Sequence, residues 1–323
     1  MIRSIALYEG IGFDPHYNLA VEQYLLESVK DRCILYLWQN ENTVVIGRNQ
    51  NPWKECRTTL LSQEGGRLAR RLSGGGAVFH DLGNLNFTFL LPQEDYDVDR
   101  QLSVIREAVS ALGIRAEKSG RNDVLAEGRK FSGNAFYKNG RQAYHHGTLL
   151  VDVDMEKLGR YLSPSKAKLQ AKGVDSVRSR VVNLKELNPD VDIPSLKEAL
   201  AQAFAQVYGM PLERMTVGDL DPVAIEALAT RNRSWEWNFG HKMPFTWERD
   251  GRFPWGEVQI CLDINEGRIR WAKIYSDSMD CHWVSEAEQA LAGCQFDRQA
   301  LEKALEQISV RKELLQLLSE DAL

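Results

Sequence analysis

Apolar and polar positions recur with two different periods along the chain, and the switches between them outline its elements. Asp14-Pro15 has the form of a helix N-cap and first helical position, and Val21, Leu25 and Val29 then repeat at fourfold spacing, predicting an amphipathic helix through Lys30. Two short β-branched or aromatic runs follow, Ile34 to Trp38 and Thr43 to Ile46, and the Asn40-Glu41-Asn42 between them reads as a hairpin signal. Further strands are expected at 70–72, 78–79 and 86–91, then a helix over 99–112 ending at Gly113. Strands at 123–126, 130–137 and 143–151, with turn signals at Glu127-Gly128 and Asn139-Gly140, imply mostly antiparallel pairing.

Helical spacing then takes over at 155–161, 165–171, 194–208 and 222–229. A second β-then-α cycle starts near Pro244, with strands at 246–249, 253–262 and 269–275 and helices at 285–291 and 298–318. Strands and helices that come in runs, without βαβ alternation, make the class α+β. The break at 238–243 divides the chain into 1–242 and 243–323, the second part being either a separate domain or a lobe packed on the first core.

Composition narrows the function. The 323 residues, 43% hydrophobic and 26% charged, are ample for a large core plus a smaller unit. Net charge is −5 and the pI about 5.8, so there is no global basic field for nucleic acid, and any anion site must be local. The start lacks a signal-peptide apolar region and no stretch has the roughly 18 apolar residues that span a bilayer, so the expectation is a cytoplasmic protein off the membrane. Cys33, Cys56, Cys261, Cys281 and Cys294 form no C-x-x-C pair and are odd in number, against a disulfide framework or structural zinc. No cysteine lies between Arg57 and Ile260.

The chemistry concentrates in two runs. Arg70-Arg71-Leu72-Ser73-Gly74-Gly75-Gly76-Ala77-Val78-Phe79-His80-Asp81 sets three glycines behind two arginines, which suits either a turn between strands or a phosphate or carboxylate lying against bare backbone N–H groups. Lys130-Phe131-Ser132-Gly133-Asn134-Ala135 places a lysine beside small residues, either an exposed strand lysine or a point charge for phosphate oxygens. Neither a Walker P-loop nor G-x-G-x-x-G occurs. Asn122 and Asp123 fit a turn or a magnesium site. His145 and His146 are adjacent on an expected strand, so they point to opposite faces and only one is expected at a pocket. Cations crowd 166–185, among them Lys166, Arg178 and Arg180, as a solvated face or a lid.

Together with Asn18-Leu19-Ala20-Val21-Glu22, Asn51-Pro52-Trp53-Lys54-Glu55-Cys56, Gly83-Asn84, His146-Gly147-Thr148 and Ser234-Trp235-Glu236-Trp237-Asn238-Phe239-Gly240, these runs closely resemble the lipoate–protein ligase A family. The resemblance spans effectively the whole chain. It implies the biotin/lipoate-ligase catalytic fold, related to class II aminoacyl-tRNA synthetases, in residues 1–242, with a small α+β accessory domain in 243–323. It also implies the reaction: lipoate and ATP with Mg2+ form lipoyl-AMP, and a lysine of a lipoyl domain, on 2-oxoacid dehydrogenase E2 subunits or the glycine cleavage H protein, takes the lipoyl group.

Carried onto this chain, the resemblance makes Lys130 the catalytic cation at the lipoyl carbonyl and α-phosphate. Arg71, Ser73, Gly74, Gly75, Gly76, His80, Trp38, His146, Leu19, Val21 and Glu22 are then expected to hold lipoate or lipoyl-AMP. Val78, Phe79, Asn84, Asp123, Gly133, Ala135, Thr148 and Arg178 would serve the nucleotide, with Asp123 also near magnesium, and 166–180 would close over the adenylate. Competing readings are an octanoyl- or lipoyltransferase using a cysteine thioester and a non-catalytic lipoate-binding protein. The Gly-Arg-Gly-x-x-Gly-Arg run of biotin ligases is absent.

Overall fold

The computed structural model describes residues 1–120, 123–163, 181–240 and 243–319. Among them, eight strands make the main sheet: β1 (Ser4–Glu9), β2 (Arg32–Trp38), β6 (Asn84–Pro92), β7 (Ala116–Ser119), β8 (Asp123–Ala126), β9 (Arg129–Lys138), β10 (Gln142–Leu150) and β11 (Leu212–Arg214). Their spatial order is β11-β1-β2-β6-β10-β9-β8-β7. Pairing is antiparallel from β2 to β7, but β1 runs parallel to both β2 and β11, so the sheet is mixed.

Both faces of this sheet are covered, which is why β2 reads as a continuous apolar run. Cys33, Leu35 and Leu37 enter a core shared with α4 (Val98–Ala111) and α7 (Ile193–Tyr208), while Ile34, Tyr36 and Trp38 face α1 (Pro15–Ser28) and α8 (Pro222–Arg233). Asp14 caps α1 by accepting the His16 N–H at 3.0 Å, and Leu19, Val21 and Leu25 supply its buried stripe. On β6 the alternation is sharp. Leu85, Phe87 and Phe89 belong to the first core, and Asn84, Asn86 and Thr88 point to the opposite face, also buried.

Thr43 to Ile46 is a strand, β3, but not the hairpin partner of β2. It is the centre of a second sheet, parallel to β4 (Arg67–Arg70) and antiparallel to β5 (Val78–His80). Asn40, read as part of a turn, is fully buried and bonds to both Asn18 and His80 at 3.1 Å, which fixes a crossover between sheets in place of a hairpin. Of the short helices α2 (Pro52–Glu55), α3 (Thr58–Gln63) and α5 (Met155–Tyr161), α3 and α5 place Leu61 and Tyr161 in one core with Val44, Ile46 and Phe79 of this second sheet. The expected helix at 165–171 lies outside the described residues.

The C-terminal domain is small and has a separate core. Its meander of β12 (Trp247–Phe253), β13 (Gly256–Asn265) and β14 (Arg268–Ser276) packs on α10 (His282–Leu291), α11 (Arg298–Ala304) and α12 (Arg311–Leu318) around Ile260, Trp283, Leu301 and Leu314. The single helix expected over 298–318 is two, because the chain turns at 305–310 to bring both Leu305 and Ile308 into that core. No helix among the described residues is long and apolar enough to cross a membrane.

One buried charge ties the turn after β3 to the segment leading into the C-terminal domain. Arg70, at the end of β4, donates to the carbonyls of Trp237 (2.9 Å), Gly47 (3.1 Å), Arg48 (2.9 Å), Gln50 (2.8 Å) and Asn238 (2.6 Å). It is therefore not a cation offered to a ligand. Replacing it with methionine leaves these carbonyls without their charged donor, and chemical denaturation is expected to show a loss of about 3 kcal/mol. A loss below about 0.5 kcal/mol, the scale of ordinary surface substitutions, would contradict this role.

Candidate active site

A cavity of about 420 Å³ lies between the main sheet and the glycine loop. Its floor is a row of cross-strand neighbours. Trp38 on β2 pairs with Asn86 on β6, Asn86 pairs with Thr148 on β10, the Thr148 hydroxyl accepts the Gly133 N–H from β9 at 3.3 Å, and Gly133 pairs with Asp123 on β8. All five line the cavity. The row grades from an indole to a carboxylate, and the two ends have different chemistry: Leu19 joins Trp38 at the apolar end, and Lys130 joins Asp123 at the charged end.

The placement of Lys130 depends on two local features. Register slips between Val124 and Leu125, so that β9 carries one extra residue there, and a bulge of this kind re-aims the side chains beside it. Phe131 goes to the core while Lys130 folds back over Gly133. Its Nζ lies 2.8 Å from where a Gly133 Cβ would stand, and 2.6 Å from Asp123 Oδ1. Both partners of this ion pair are about one-third exposed (34% and 35%), open to a ligand.

The glycine loop is the roof, and its three glycines serve different ends. A Cβ on Gly74 would sit 2.1 Å from the Ser278 carbonyl oxygen, so Gly74 is the place where the C-terminal domain presses against the loop, and it is not on the cavity wall. Gly75 has φ +88°, a left-handed value suited to glycine, and donates its N–H to Ser278 O at 3.1 Å. Gly76 lines the cavity, and a Cβ there would meet no atom within 4 Å, leaving backbone that a ligand can approach. Arg71 holds the curve from within, Nη2 donating to Gly74 O and Gly76 O, each at 2.8 Å. Burial pushes its guanidinium down to about 10, so it stays charged at neutral pH.

Of the other expected residues, His80, Val78, Ala135 and His146 line the cavity. Val21 and Phe79 are core side chains, and Asn84 stands behind Asn86, to which it donates at 2.8 Å. Ser73 and Glu22 are buried behind His146, on its two ring nitrogens. His145 faces the other way, bonded to Gln101 and Asn134. Arg178 and the loop at 166–180 lie outside the described residues, as does Asn122. No cluster of three or more His, Cys, Asp or Glu suited to a metal occurs among the described residues.

Sequence reasoning missed Asn86, Glu55 and Asp277 on the wall. The polar alternation Asn84, Asn86, Thr88 within an apolar strand was a usable signal for the first; Asp277 arrives from the C-terminal domain with no local signature. Two buried donors point to a polar ligand group. Asn40 donates to His80 Nδ1, which puts the remaining hydrogen on Nε2, and neither His80 Nε2 nor Asn86 Nδ2 has a partner among the described residues.

Buried histidines also set an acid limit. His80 and His145 are both pushed down to about 3, by burial first and then by the charge of Arg71 beside His80 and the proximity of His146 to both. In the unfolded chain they titrate near 6.5, so as pH falls from 6.5 to 3 the unfolded state gains protons that the folded state refuses, and stability falls. Each contributes about 1.4 kcal/mol per pH unit through the middle of that window. Denaturation midpoints should therefore drop from pH 7 to pH 4.5, and less steeply in His145→Gln; midpoints unchanged over that range would contradict it.

Two family models match this chain: the lipoyl protein ligase A/B catalytic domain over residues 14–205 and the bacterial lipoate protein ligase C-terminus over 242–323. Among solved structures, P. falciparum LipL1 in complex with lipoate is similar at 25% identity and a TM-score of 0.84, covering 97% of this chain and 99% of that one. The archaeal bipartite lipoate protein ligase of Thermoplasma acidophilum, described with its E2 lipoyl domain, is 27% identical with a TM-score of 0.63, covering 76% and 98%. A lipoate-protein ligase A bound with ATP is 26% identical with a TM-score of 0.62, covering 74% and 99%. By fold, by the matched models and by the full-length likeness, this chain belongs to the lipoate–protein ligase family.

Proposed function

We propose that this protein activates free lipoate with ATP to lipoyl-AMP and then transfers the lipoyl group to a lysine of a lipoyl domain. One observation carries the reading: the cavity is apolar at Leu19 and Trp38 and charged at Lys130 and Asp123, as a ligand with a hydrocarbon tail and a reacting carboxylate requires. The lipoate-bound, ATP-bound and lipoyl-domain structures of its relatives support the same substrates here.

In the first step a carboxylate oxygen of lipoate attacks the α-phosphorus of ATP, the new O–P bond forming as the bond to pyrophosphate breaks. In the second, the lysine amine attacks the carbonyl carbon and the C–O bond to AMP breaks, the proton leaving to solvent. Lys130 is placed to neutralise oxygens in both steps, because carbonyl and α-phosphate are joined through one oxygen in the intermediate. The bare backbone at Gly76 and the unpartnered donors on His80 and Asn86 would fix the polar part of the ligand. Magnesium would enter with the ATP phosphates and keep most of its waters, Asp123 being the carboxylate nearest Lys130 for it to use. It would lower the charge on the phosphates.

We assign residues 1–242 to catalysis and 243–323 to the accessory domain, working in the cytoplasm. A cysteine thioester route is disfavoured. No cysteine lines the cavity among the described residues, and burial pushes the Cys33 and Cys56 thiols up to about 12, away from the reactive thiolate.

The test is pyrophosphate release dependent on lipoate, ATP and magnesium, followed by addition of an apo lipoyl domain and its mass measurement. The unaltered protein should release pyrophosphate and add a lipoyl group, and Lys130→Ala should do neither at a detectable rate. Gly133→Ala is the finer probe. Its new Cβ displaces only the end of the Lys130 side chain, so the melting temperature should hold while kcat falls about tenfold or more, equivalent to about 1.4 kcal/mol. Full activity in Lys130→Ala, or no pyrophosphate from the unaltered protein, would overturn the assignment.

A further inference from the structure

Through and behind the cavity wall, six side chains form an unbroken hydrogen-bonded chain into the glycine loop. Trp38 Nε1 donates to Thr88 Oγ1 at 3.1 Å, and Thr88 donates to Glu22 Oε1 at 2.7 Å. The same Glu22 oxygen is 2.8 Å from His146 Nδ1, and His146 Nε2 is 2.9 Å from Ser73 Oγ. Arg71 Nε donates to Ser73 Oγ at 3.0 Å, and Arg71 also holds Gly74 O and Gly76 O.

The directions in this chain follow from its two ends and from Glu22 in its middle. An indole and a guanidinium can only donate, and a carboxylate only accepts. Glu22 can only accept, so His146 Nδ1 carries the hydrogen that goes to it, and the bare Nε2 accepts from the Ser73 hydroxyl, whose oxygen accepts from Arg71. Thr88, already accepting from Trp38, gives its proton to the same carboxylate oxygen. Glu22 is the acceptor at which both directions meet.

We propose that Glu22 is a positioning residue: it sets the glycine loop through His146 and Ser73, and does not touch the ligand. Glu22 is 1% exposed and Ser73 fully buried, and neither lines the cavity, whereas His146 and Trp38 do. A carboxylate in so apolar a place is costly to bury, and two hydrogen bonds to one of its oxygens are the return on that cost. Removing it strands the His146 N–H and the Thr88 hydroxyl, frees the imidazole to turn, and releases Ser73 from its imidazole partner next to Gly74. The effect then falls on the polar end of the ligand, where the loop lies, and not on the tail.

The inference rests on the ligase reading for its kinetic arm only. Glu22→Leu and Glu22→Gln are compared with the unaltered protein in two measurements. Hydrogen exchange of the 71–80 segment in the ligand-free protein should accelerate at least about tenfold in Glu22→Leu, and stay slow in Glu22→Gln, whose amide oxygen can take both bonds. Pyrophosphate release is then followed with lipoate and with straight-chain acids of six and eight carbons. For Glu22→Leu, kcat should fall by a similar factor, about tenfold, for every acid. Unchanged exchange in Glu22→Leu would overturn the proposal, and so would a penalty that disappears with the shorter acids, since that marks contact with the tail. If Glu22→Leu does not fold, Ser73→Ala cuts the same chain at its other end and takes its place. If the unaltered protein releases no pyrophosphate, the ligase reading fails, and the exchange result alone decides the role of Glu22.

Discussion

Two neighbouring guanidinium groups, each buried among backbone carbonyls, fix the geometry on which the site depends. Arg70 and Arg71 are adjacent at the end of a strand, so their side chains leave in opposite directions. Arg70 gathers carbonyls from the turn after β3 and from Trp237 and Asn238; Arg71 gathers Gly74 O, Gly76 O and the Ser73 hydroxyl. Burial lowers both to about 10, and both still carry their charge at neutral pH. A buried charge needs its acceptors, and here every acceptor named is a part of the loop, the turn or the segment that must be held.

That constraint propagates to the cavity. With the loop curved by Arg71, Gly76 presents bare backbone to the ligand space, and Gly75 turns its N–H to the C-terminal domain at Ser278. The same few residues therefore face the cavity on one side and the C-terminal domain on the other. Asn49 and Cys281 add a 2.8 Å bond between side chain and carbonyl across the same seam, and Asp277 of the C-terminal domain reaches the cavity wall. The floor is independent of this arrangement, because the sheet register alone lines up Trp38, Asn86, Thr148, Gly133 and Asp123.

Much of the fold was legible because its signals are local. The Asp14 cap, the amphipathic stripe of α1, the strands around Lys130 and His146 and the β-then-α cycle of the C-terminal domain follow from period and turn residues. What escaped is set by distant partners. The Asn40-Glu41-Asn42 turn became a crossover because Asn40 is bonded to Asn18 and His80, and β1 runs parallel to β2 because α1 connects them. In the site, motif reasoning found the runs but not which way each residue points: Gly74, Ser73, Glu22 and Asn84 stand one layer behind the wall, and Arg70 points away from it. Direction depends on strand register, and for Lys130 on a bulge that composition does not reveal.

The proposed reaction bonds the carboxylate of lipoate to the α-phosphorus of ATP at Lys130, and isotope transfer tests that bond directly. Lipoate carrying oxygen-18 in both carboxylate positions is turned over with unlabelled ATP, magnesium and an apo lipoyl domain, and the products are weighed. One labelled oxygen should appear in AMP and the other remain in the amide. Label in inorganic phosphate, or acylation of the domain with no label in AMP, would contradict the account.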